Sequence, residues 1–100
     1  MTKESDNATA IKVICAAAAE YGVTAEAIMS PIRKARVSEA RQMAMYILNR
    51  YCGFTAARIG ESFGKNHSTV SRSVVNVAGF LKMYRAVREH EEAIRERLQF

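Results

Sequence analysis

The stretch "RIGESFGKNHSTV", residues 58–70, sets two glycines four positions apart and follows them with a short polar link and a valine. Two helices that cross steeply over a tight turn need three things. They need a small residue where their backbones approach, a glycine in the turn, and a branched apolar residue that seats the second helix on the first. Gly60, Gly64 and Val70 supply these in order, and Ile59 and Phe63 line the inner face of the first helix. The outer face of the second helix is then left with Ser68, Thr69, Ser71 and Arg72. These short donors and acceptors, with one long base, suit base edges and phosphates. The free amide groups at that helix's N-terminus also favour phosphate. A helical hairpin with a merely polar surface would not require this combination.

Two chemical readings of the same residues fail. A Walker-type loop needs four residues between its glycines and a hydroxyl after the lysine. Here three residues separate Gly60 from Gly64, Lys65 is followed by Asn66, and no strand precedes the segment. His67 beside Ser68 is not a nucleophile–base pair, because neighbours on a helix do not face each other. The chain offers no further support for an enzyme. Cys15, Cys52, His67 and His90 are scattered without paired short spacings, so no metal site is expected. No cofactor and no small-molecule substrate are implied. The two cysteines are expected as buried free thiols.

The remainder reads as helix. One proline, few glycines and abundant alanine, methionine, arginine and glutamate favour an all-α domain. A first helix runs from Ala8 to Tyr21, with Ile11, Ile14, Cys15, Ala18 and Ala19 as its apolar stripe. A short second helix follows from Thr24 to about Met29. "SPIRKAR" reads as an exposed basic loop. A third helix starts at Ser38 and buries Ala40, Met43, Ala44, Ile47, Leu48 and Tyr51. The fourth is "AARIGESF". The fifth begins near Ser68 and buries Val70, Val74, Val77 and Leu81. The last places Tyr84, Val87, Glu91, Ile94 and Leu98 near one face, and Gly79 weakens the helix before it. The expected architecture is about six helices: a flexible tail over 1–7 and one helix-turn-helix domain over 8–100. The run "AIKVICAAAAEY" is too short to span a membrane, so a cytoplasmic location is the default and no membrane partner is expected.

Charge is focused. Residues 30–72 hold eight bases against two acids, whereas residues 1–29 hold two bases against four acids. A basic zone of this kind is the electrostatic footprint of a nucleic-acid binder. It contains no interleaved exposed aromatics for stacking unpaired bases, which favours duplex DNA over RNA.

Taken together, "SEARQMAMYILNRY" and "RIGESFGKNHSTV" resemble the C-terminal DNA-binding domain of the bacterial replication initiator DnaA. The similarity covers roughly residues 9 to 82. The resemblance implies an all-helical domain that reads a nine-base-pair box in duplex DNA. It implies that His67, Ser68 and Thr69 meet bases and phosphates in the major groove, that Arg41 and Gln42 hold the phosphate backbone, and that Arg33 enters the adjacent minor groove. Lys34 and Arg36 beside Arg33 suit a narrow, negative minor groove, and Lys65 is a phosphate neighbour. The sequence departs from the family in its turn, which is one residue shorter, and in Asn66, which replaces an acid. Aspartate accepts from cytosine, whereas asparagine prefers adenine, so Asn66 opens a different base preference. Asn49 stands where some members place a basic backbone contact, with Arg50 adjacent.

The resemblance implies sequence-specific DNA binding in replication initiation or its regulation. The alternatives are a stand-alone phage or mobile-element transcription regulator with a different site, and a protein-interaction module docking a second copy or a replication or transcription protein through the last helix. The polar start "MTKESDNAT" favours a stand-alone chain over an excised domain.

Overall fold

The computed structural model describes residues 3–100, as six helices: α1 (Lys3–Tyr21), α2 (Ala25–Met29), α3 (Ala35–Arg50), α4 (Ala56–Phe63), α5 (His67–Met83) and α6 (Arg85–Leu98). Helix α3 is the axis, packed against α1 on one side and α5 on the other, while α4 pairs with α5 and α6 lies on α1. Every residue from Met43 to Leu48 is buried. A helical stretch that is apolar all round is found inside a fold, and this part of α3 obeys that rule. Val13, Ile28, Ile59, Val70 and Ile94 bring the other five helices to the same core as Ile47 of α3, with no exposed surface.

Several local expectations need correction, among them the burial of Tyr51, which is 44% exposed. Helix α1 begins at Lys3, not Ala8, so residues 3–7 are not a tail, and Met1 and Thr2 lie outside the described residues. Asp6 in that extra turn forms an ion pair with Arg58 of α4. The buried stripe of α1 is Ala10, Val13, Ile14, Ala17, Ala18 and Tyr21, whereas Ile11 is 61% exposed and Cys15 is exposed. The spacing is helical, but the face is rotated, because Ala16–Ala19 offer no contrast in size and the bulky Val13 and Tyr21 decide what is buried. Of the two thiols only Cys52 is half-buried, and burial pushes its pKa up. Helix α3 starts at Ala35 instead of Ser38, so the basic loop is shortened to Ser30–Lys34 and Arg36 falls in the helix's first turn. Its Nε donates to the carbonyl of Tyr21, and its guanidinium lies 5.9 Å from the centre of the Tyr21 ring.

The last helix belongs to the core. The break before it is extended backbone at Tyr84, not Gly79. Buried Glu91 accepts from the Tyr51 hydroxyl at 2.7 Å and from Arg95 Nε at 2.7 Å. His90 Nδ1 lies 2.9 Å from Glu20 Oε2, and its ring stacks on Tyr21 at 4.4 Å. Ile94 has no exposed surface and Leu98 packs against the core. No helix among the described residues is long and apolar enough to cross a membrane.

Burial, then Glu39 and Glu20, push the Tyr21 phenol up to about 12, against a smaller opposing effect of Arg36. A phenol raised on folding stabilises the fold fully below its unfolded value of about 10. That stability is lost as pH rises from there through the folded value. The hydrogen bond to Glu91 raises the Tyr51 phenol in the same direction. Stability should therefore fall between about pH 10 and 12, and Tyr21→Phe should move the alkaline unfolding midpoint upward in a pH titration followed by circular dichroism. An unchanged midpoint would contradict this.

Candidate nucleic-acid interface

The helix-turn-helix is built as its residues require. Thr55 caps α4 by accepting from the Arg58 amide at 3.1 Å. Ile59, Gly60 and Phe63 form its buried face. A Cβ on Gly60 would overlap the carbonyl oxygen of Lys65, whose own amide donates to the Gly60 carbonyl at 2.9 Å. Gly64 ends α4 in the left-handed region at φ 66°, which glycine adopts without steric penalty. Both glycines thus do what their spacing implies: one admits a backbone and the other turns the chain.

Asn66 then caps α5, its Oδ1 accepting from the Thr69 amide at 2.9 Å. The cap sets where α5 begins, at the residue expected to alter base preference. Val70, Ser73 and Val77 face inward. His67, Ser68, Thr69, Ser71 and Arg72 stand exposed on the first turns.

The basic zone sorts into two groups. Arg58 is held by Asp6 and by Glu61, the latter at 3.6 Å, and Arg36 is engaged at the end of α1. Arg41 is only 8% exposed. Its Nε donates to the Ile28 carbonyl at 2.6 Å, and its Nη2 lies within bonding distance of the carbonyls of Ala27, Ser30 and Ile32, at 3.0, 2.6 and 3.0 Å. Burial lowers its pKa, so the four carbonyls offset a desolvation cost. Arg41 thus anchors the end of α2 and the start of the basic loop, at the position where the family resemblance implies a phosphate contact. Arg33, Lys34, Arg50 and Arg72 remain exposed, and Lys65 is half-exposed.

A cleft of about 370 Å³ joins these parts. Pro31 and Arg33 line it from the loop, Ser38, Arg41, Gln42 and Met45 from α3, Lys65 from the turn, and Thr69 and Ser73 from α5. Three cations and no acid line it. Arg33, Gln42, Lys65 and Thr69 were expected at an interface and do share this cleft, although they come from four parts of the chain. Ser38 and Ser73 were missed. Their signal was helical spacing, since each stands four residues from an expected contact, Gln42 and Thr69.

A close helix pair with a backbone approach admitted by glycine, a capped second helix and a basic cleft together define the interface. Residues 10–77 match the family model described as the bacterial dnaA protein helix-turn-helix. The chain belongs to this family. DnaA-family domains of this type bind DNA at DnaA boxes. The chromosomal replication initiator protein DnaA of Spiroplasma citri is 32% identical over 98 residues, covering 97% of this chain and 22% of that protein. The DnaA of Bacteroides thetaiotaomicron is 32% identical over 90 residues, covering 89% and 18%. That of Pseudothermotoga lettingae is 39% identical over 54 residues, covering 54% and 12%. The chain thus spans no more than about a fifth of the length of these relatives.

Proposed function

We propose that this chain binds duplex DNA sequence-specifically, at sites related to the DnaA box, in replication initiation or its regulation. The observation that carries this reading is the shared cleft, in which loop, turn and recognition helix present positive charge and small polar groups together. In this arrangement α5 enters the major groove. His67, Ser68, Thr69 and Ser71 meet base edges and nearby phosphates. Lys65, Gln42 and Arg72 grip the backbone. Arg33 and Lys34 follow the loop into the neighbouring minor groove, with Arg36 behind them. Asn66 serves by fixing where α5 begins.

The interaction-module reading rested on Ile94 and Leu98, which are spent on the core, and no observation favours it. A fluorescence-anisotropy titration on box-containing and scrambled duplexes tests DNA binding; equal affinity for both would remove the specificity. Arg33→Ala and Lys65→Ala should each weaken binding to every duplex and lower the salt slope by about 1. His67→Ala or Thr69→Ala should cost roughly 1–3 kcal/mol, mainly on the preferred site. A uniform loss from all four substitutions would contradict the assigned roles.

A further inference from the structure

A second pocket of about 360 Å³ is lined by α3, the C-terminal half of α5, α6 and Tyr21 of α1. We propose that this pocket binds an organic ammonium with an apolar or aromatic body. Its volume is within the range of small-molecule sites. Met43, Val77 and Val87 form apolar wall, and the half-exposed rings of Phe80 and Tyr84 stand 6.0 Å apart, tilted by 53°.

The polar groups of the pocket point to the ligand's charge. Gln42 Oε1 is buried without a hydrogen-bond partner. Tyr21, only 2% exposed, has no hydrogen-bond partner for its hydroxyl among the described residues. Glu39 is exposed and has no ion pair among them. A buried polar atom left unmet in a small site is unusual, because buried polar groups are normally hydrogen-bonded. A carboxylate, an amide oxygen and a phenol are acceptors, the phenol alone also donating. Aromatic faces attract cations as well. The remaining charges are His90, paired with Glu20 on the far wall, and Arg36, whose guanidinium lies over Tyr21. The two carboxylates outweigh Arg36 at the phenol, as the direction and order of its pKa shift show. An anion would meet Glu39 with little to hold it. The pocket shares Gln42 with the basic cleft, but it lacks that cleft's arginines and lysine, so it does not depend on the DNA reading.

Titrating the full chain with tryptamine, followed by backbone amide shifts, tests the proposal, with indole-3-acetate as the anion of similar size. Saturable shifts are expected at Val77, Phe80, Tyr84 and Val87 with tryptamine and not with the acid. Glu39→Gln, an exposed conservative change, should weaken tryptamine by about fivefold, and Phe80→Ala by a similar factor. The proposal would be overturned by no saturation by about 10 mM, by equal shifts from the anion, or by unchanged affinity in Glu39→Gln. Shifts centred on the basic cleft instead would also overturn it.

Discussion

Replacing Arg41 with methionine should lower stability by about 3 kcal/mol, because it strips a charged donor from four carbonyls in a partly buried turn. For a domain of this size the melting temperature would fall by roughly 15 °C. Arg41→Lys should recover little, since one ammonium cannot replace a planar fork that spans carbonyls from Ala27 to Ile32. The salt slope of DNA binding should stay unchanged for the folded variant at low temperature. Arg33→Ala should show the reverse pattern, with an unchanged melting temperature and a reduced slope. Thermal melts and salt titrations on both variants separate anchoring from phosphate binding. A stable Arg41→Met protein with a reduced slope would return this residue to the phosphate backbone.

Gly60→Ala should destabilise by about 3 kcal/mol, more than Gly64→Ala at about 1–2 kcal/mol. Helix propensity alone gives the opposite sign at Gly60, since alanine is favoured over a mid-helix glycine by about 1 kcal/mol. The difference lies in what the new methyl meets. At Gly60 it runs into the Lys65 backbone, which has no flexible end to move aside. At Gly64 it meets nothing within 4 Å and only left-handed backbone strain is added. Urea denaturation of the two variants decides the order, and a milder effect at Gly60 would mean that the two helices do not cross as described.

These two residues also mark what was legible in the sequence. Gly60, Gly64, Val70 and the hydroxyls after them form a local pattern, because a tight turn brings together residues close in sequence. Arg41 gave no such signal. Its acceptors are backbone carbonyls of α2 and of the loop before α3, and a carbonyl has no letter of its own. The same cause hid the start of α3: Ser38 looked like a cap, but Lys34 takes that position without a side-chain hydrogen bond. In α1 the alanine run left the direction of the buried face undetermined until α3 and α6 were present to select it. The cap at Asn66 was not anticipated for a different reason: capping and base reading both use the same short polar side chain.

The pairing of α6 with α1 has a consequence for biosynthesis. Glu20 and His90, which join these helices, are 70 positions apart, so a ribosome adding about 5–20 residues per second needs several seconds between making one and making the other. Over that interval the helix-turn-helix can already be complete while the face of α1 that will meet Ile94 is still open. The last contacts of the nascent chain are thus its most distant ones, and the time for which its apolar surface is uncovered is set by translation speed as much as by the intrinsic rate of helix packing.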